Sequence, residues 1–166
     1  MDLVVRRAPD PVLSGVCPPA DPRDPQVVAL ADAMVTLMRA SPGCVGIAAP
    51  QVGHAVALFV LDVTGARRVE SCSGLVVLCA PVLENAQGRQ VRREGCLSVP
   101  DLTGDVPRAT QVVVRGLVPG TGAERVVAAD AFEARALQHE LDHLQGLLFL
   151  DRVAGAHALF ARKRYL

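Results

Sequence analysis

What the 166-residue sequence lacks narrows the field first. No apolar run is long enough to span a bilayer, which predicts no transmembrane segment and no membrane partner. Neither sign of charge is in excess, since 17 basic and 17 acidic residues leave a formal net charge of zero. That balance speaks against a protein held to nucleic acid by a basic surface, so no sequence-specific nucleic-acid partner is expected. The opening "MDLVVRRAPDPVL" has Arg6 and Arg7 but no apolar stretch after them, and no secretory signal is read there. No C-x-x-C pair occurs. The five cysteines are scattered at 17, 44, 72, 79 and 96, so free thiols are expected rather than a disulfide framework. Lysine is nearly missing, Lys163 being the only one, and coding bias explains that more simply than function does.

Half of the chain is apolar (51%), enough for a sizeable core, and the length suits one domain over residues 1–166. The stretch "RRAPDPVLSGVCPPADPRDP" should be extended chain lying on the surface. Asp24-Pro25 then reads as a helix cap followed by proline at the first helical position. Leu30, Met34, Leu37 and Met38 follow at helical spacing and predict a helix over 25–40. "AVALFVLDV" and "GLVVLCAP" read as buried strands, and "TQVVVRGL" with "ERVVAA" as a hairpin about "PGTG". From Asp130 the pattern turns helical, with Glu133 placed for a capping box and Gly146 for the stop. A last helix is predicted from about Ala156, its basic end Arg162, Lys163 and Arg164 suiting a helix C-terminus. Strands followed by one functional helix predict an α+β fold.

That functional helix contains "QHELDH", in which His139 and His143 lie one turn apart on one face with Glu140 beside them. Both imidazoles can bind one metal ion, and Glu140 can reach a water on it. The alternative is a chance pair of histidines on a solvated face. A catalytic metal needs a third ligand, and downstream the search fails. The tenth position after the first histidine is Phe149, no glutamate follows Glu140, and Asp151 is better read as pairing with Arg152. Upstream, "REGCLSVP" offers Cys96. Two histidines and a thiolate leave a fourth position open, which hydrolysis requires.

With these residues the chain resembles the peptide deformylases. Three stretches carry the likeness in the family's order: Cys44 to Gln51 ("CVGIAAPQ"), Glu94 to Pro100 ("EGCLSVP") and Gln138 to His143 ("QHELDH"). "PDPVL" near the start and "GLLFLDR" after the third extend it over nearly the whole chain. The resemblance implies small antiparallel sheets packed around a central helix that carries His-Glu-x-x-His, with an N-terminal and a C-terminal helix. It implies a bacterial, cytoplasmic hydrolase that removes the formyl group from the N-terminal formylmethionine of new proteins. One divalent metal ion, Fe²⁺ in vivo with Zn²⁺, Ni²⁺ or Co²⁺ as alternatives, would be held by Cys96, His139 and His143.

Carried over in the same way, Glu140 would be the base, and the side-chain amide of Gln51 and the backbone N–H of Leu97 would hold the oxyanion. Gly46 would let the substrate backbone approach. Val45, Phe132 and Ala136 would line a pocket for the methionine side chain, against the plainer reading of core packing. Arg108 is placed to brace Glu94, and the basic C-terminus to touch the ribosome. Two positions depart from the family pattern: Cys44 stands for the first glycine of its stretch, and Ala80 for the asparagine that often precedes Pro81. Two rivals are a zincin-type endopeptidase, which "EGCLSVP" disfavours, and a non-catalytic binder of formylated peptides, which would not need Glu140.

Overall fold

The computed structural model describes residues 1–67 and 69–163. In chain order its elements are α1 (Pro25–Ala40), β1 (Gly46–Ala48), β2 (Leu58–Leu61), β3 (Val76–Gln87), β4 (Gln90–Cys96), β5 (Val99–Arg108), β6 (Gln111–Leu117), β7 (Glu124–Asp130), α2 (Ala131–Leu144) and β8 (Leu159–Ala161). The α1 helix begins as the sequence predicts, with the Asp24 carboxylate accepting from the Gln26 N–H at 2.8 Å and Pro25 in the first turn.

Two antiparallel sheets result, one of five strands in the order β1-β2-β3-β6-β7 and one of three in the order β4-β5-β8. Alternation in β2 explains the layering. Phe59 and Leu61 face α2 and join Leu78, Val114, Ala134 and Leu137, whereas Leu58 and Val60 face α1 and join Leu30, Met34 and Met38. All four β2 side chains are therefore buried, and the strand reads as a continuous apolar run. Each such Leu or Phe removed from water contributes on the order of 1.5–3 kcal/mol. The three-stranded sheet has a smaller core of Cys96, Val99, Val106 and Phe149. Among the described residues no helix is long and apolar enough to cross a membrane, and all five cysteines are free.

Three sequence expectations are corrected. No capping box forms at α2, where the Asp130 side chain accepts no helix N–H and Glu133 is fully buried. Glu133 instead receives the Ser73 N–H at 2.7 Å and the Ser71 hydroxyl at 2.9 Å, which ties the loop between β2 and β3 to the helix. The C-terminal helix is absent from the described residues. Ala156–Ala158 make one 3-10 turn and Leu159–Ala161 form β8, paired to Leu102–Gly104 of β5; Arg164 lies outside the described residues. Asp151 accepts from the Leu148 N–H at 2.8 Å, while Arg152 turns to Asp142 at 2.6 Å.

The two departures from the family pattern have opposite structural costs. Gly43, at φ +72°, takes the left-handed conformation, so Cys44 escapes it. Ala80 does not escape. It sits at φ +45° in the irregularity between Cys79 and Val82 of β3. Asparagine tolerates that region far better than alanine, whose Cβ meets a carbonyl there at a cost of about 1–2 kcal/mol.

Candidate metal centre and active-site cavity

The α2 helix crosses beneath β1 and the five-stranded sheet and presents His139, Glu140 and His143 toward the end of β4. The Nε2 atoms of His139 and His143 lie 3.2 Å apart, and Cys96 Sγ is 3.4 Å from His143 Nε2. All three donor atoms fall within 4.8 Å of one another. Three soft or borderline donors converging in this way fit a single ion of the zinc or ferrous class. The other ring nitrogen of His139 is anchored 3.0 Å from Glu94 Oε2, which directs its Nε2 at the shared point. His143 is 1% exposed, and its Nδ1 has no partner.

Glu94 is the centre of a buried charge network. Arg108 grips it with two bonds of 2.9 and 3.0 Å, and Arg135 adds one of 2.7 Å. Arg108 also reaches Asp142, one residue before His143. The expected Arg108–Glu94 brace is thus present, and it is buried rather than superficial. Burial would raise the Glu94 carboxyl, but the bonds from His139 and Arg108 outweigh it and hold its pKa at about 2. Burial also opposes a charge on His139, yet Cys96, Glu94 and Glu140 together push its pKa well above the ordinary value. His143 moves the other way, lowered by burial and by the charge on His139.

Glu140 is 3% exposed, and its Oε2 has no hydrogen-bond partner among the described residues. Burial, reinforced by the Glu94 charge, raises its pKa to about 7. Such a carboxyl can take and return a proton near neutrality. It packs on Gly46, where any Cβ would come within 2.4 Å of Glu140 Oε1. Gly46 is therefore required by the packing of the glutamate, a reason the sequence did not reveal.

Gln51, 2% exposed, joins its own stretch to the one around Cys96. Its Oε1 receives the Ala48 N–H at 2.9 Å, and its Nε2 donates to Cys96 Sγ at 3.3 Å and Ser98 Oγ at 3.2 Å. A cavity of about 420 Å³ opens over this group, and Val45, Gly46, Gln51, Cys96, Leu97, Phe132, Ala136, His139 and Glu140 all line it. β1 has a partner only in β2 and forms the sheet's edge beside this cavity. Cys44 lines it too, its thiol donating to the Gly46 carbonyl at 3.2 Å and pushed up to about 11, chiefly by burial. Sequence reasoning missed Ser98 and Arg135. Arg135 was legible as the residue one turn before His139; Ser98 gave no signal beyond its place in "EGCLSVP".

Two antiparallel sheets around a helix bearing His-Glu-x-x-His, with a thiol brought across to it, define a hydrolase of the α+β class. Residues 3–158 match the family described as Polypeptide deformylase. The chain is 43% identical over 151 residues to a peptide deformylase of Halothermothrix orenii, covering 91% of this chain and 93% of that one. Among solved structures, the peptide deformylase of Thermotoga maritima superposes with a TM-score of 0.82 at 30% identity, covering 93% of this chain and 99% of that one. A class I type b peptide deformylase of Acinetobacter baumannii, solved with Met-Ala-Ser bound, gives 0.83 at 32% identity over 92% and 99% of the two chains. The chain belongs to the polypeptide deformylase family.

Proposed function

We propose that the protein removes the formyl group from the N-terminal formylmethionine of newly made proteins, releasing formate. The observation that carries this reading is the convergence of Cys96, His139 and His143 beside a buried carboxyl, Glu140, that has an unpartnered oxygen. Cys96, His139 and His143 would hold one divalent ion, Fe²⁺ in the cell, with Zn²⁺, Ni²⁺ or Co²⁺ able to replace it. When bound, such an ion polarises a carbonyl and lowers the pKa of water toward about 7.

The chain's own residues would do the rest. The free edge of β1 at Gly46 offers the substrate backbone strand-like hydrogen bonds. Val45, Phe132 and Ala136 give the methionine side chain an apolar wall. Glu140 takes a proton from the attacking water and delivers it to the departing amine, so that formamide and water become formate and a free amino terminus. As the formyl oxygen becomes negative, the Gln51 amide and the Leu97 N–H would donate to it. Gln51 is suited to this because Ala48 fixes its oxygen and so turns its Nε2 toward Cys96. A relative solved with Met-Ala-Ser bound, a peptide beginning with methionine, supports the substrate class.

The test is formate release from a short formyl-Met peptide by protein purified without oxygen and loaded with Fe²⁺ or Ni²⁺. Turnover is expected, and Glu140→Gln should reduce it about 10²–10⁴-fold with the metal retained. No turnover from a fully loaded parent would turn the reading toward a binder of formylated peptides. The same reading takes residues 1–166 as one catalytic domain in the bacterial cytoplasm, meeting its substrates at the ribosome. Unchanged ribosome co-sedimentation after Lys163 and Arg164 are replaced by glutamate would remove that last element.

A further inference from the structure

The outer wall of the cavity is one face of the three-stranded sheet. Side chains alternate across a pleated sheet, and Gly95 pairs with Thr103, which pairs with Phe160. Arg93 and Gly95 of β4, Thr103 and Asp105 of β5, and Phe160 followed by Arg162 therefore share a face.

The two arginines differ in what they have left to bind. Arg93 bonds Asp105 at 2.7 Å and lies 3.6 Å over the Phe160 ring, so its charge is balanced and its plane occupied. It acts as a clamp that fixes β8. Arg162 is anchored through its backbone, the N–H donating to the Asp101 carbonyl at 2.9 Å. Its side chain reaches across to Gly95, where a Cβ would come within 2.2 Å of Nη2. Among the described residues that guanidinium makes one hydrogen bond, to the Cys96 carbonyl at 3.5 Å, and no ion pair. The other charged residues of the cavity wall are committed: Glu94 and Arg135 to each other, Arg93 to Asp105, and Glu140 and the metal-site residues to the chemistry. Among the described residues that line the cavity, Arg162 is thus the arginine that makes no ion pair.

We propose that Arg162 selects formylated peptides bearing an acidic side chain at one of the first two residues after methionine. The proposal rests on the deformylase reading above. A peptide lying along the β1 edge would face Gly95, over which the guanidinium sits. A carboxylate there can accept two parallel N–H bonds in the fork geometry that arginine favours. Lysine at the same place meets like charge. Because the site is open to water, the discrimination is several-fold rather than many orders.

The experiment compares kcat/KM of the nickel-loaded enzyme for formyl-Met-Ala-Asp, formyl-Met-Ala-Ala and formyl-Met-Ala-Lys, and for the same set with the variable residue directly after methionine. All peptides carry a C-terminal amide, so that the side chain alone supplies the charge. The parent should prefer aspartate over lysine by about three- to fivefold in one of the two positions, and the gap should narrow with added salt. Arg162→Ala should bring the ratio to unity, while Arg162→Lys should keep part of it. The ratio within one enzyme is independent of how much of it is folded. An equal ratio in the parent and Arg162→Ala, or no preference in the parent, overturns the proposal and leaves the deformylase reading standing. No turnover of any peptide overturns both.

Discussion

The two sheets of this protein are built on opposite principles. Where β1, β2 and the start of β3 lie between α1 and α2, the five-stranded sheet is apolar on both faces and burial holds it, whereas farther out it exposes Glu84, Arg115 and Glu124. The three-stranded sheet has a four-residue core, with β4 exposed from Gln90 to Arg93 and a network of arginines and carboxylates at its base. The inner part of the first is an apolar scaffold. The second carries the thiol of the candidate metal centre and the cavity wall, and its polar contacts are the ones that hold that centre in place. Metal affinity and stability should therefore respond differently to changes in the two places.

The largest effect is expected where both principles meet. Glu94→Ala leaves Arg108 and Arg135 buried without their shared carboxylate and should destabilise the protein by about 3–5 kcal/mol. It also frees His139, so metal affinity should fall about 10–100-fold; denaturation and chelator competition read the two losses separately. Leu78→Ala, at a fully buried position of the five-stranded sheet, should cost about 2–5 kcal/mol. Here metal affinity and kcat per folded molecule should stay at parental values, and a fall in either would blur the distinction between the sheets. The smallest effect is a gain: Ala80→Asn relieves the left-handed strain in β3 and should stabilise by about 1 kcal/mol, visible as a higher melting temperature. A loss there would mean that the β3 irregularity is held by something other than backbone preference.

Legibility in the sequence follows the same division. β2, the start of β3, and the hairpin of β6 and β7 are apolar runs bounded by turn residues, and they were readable as strands. The hairpin of β4 and β5 was not, because "QVRREGC" and "VPDLTGDVPR" show neither an apolar run nor clean alternation. Pro100 and Pro107 argue against a strand. They are tolerated because β8 pairs only with Leu102–Gly104: Pro107 has a partner on the β4 side alone, and Pro100 falls in the break of the β4 register between Val99 and Thr103. The C-terminal prediction failed for a related reason: apolar and basic residues near the end suit a helix, but β5 presents an edge that a three-residue strand can complete. The convergence of Cys96, His139 and His143 was legible because spacing on α2 and the three quoted stretches pointed to it. The bonds that join those stretches were not, since hydrogen bonds across 45 residues leave no local pattern.

Gln51 shows what that joining implies for how such a chain can change. One amide touches Ala48 of its own stretch and both Cys96 and Ser98 of the second, while Gly46 and Glu140 share a boundary too close for a single added carbon. The three stretches are thus parts of one mechanism cut to each other's shape. A lineage that altered one would inherit a misfit in the other two, so drift at any of them should be answered by its neighbours or not survive at all.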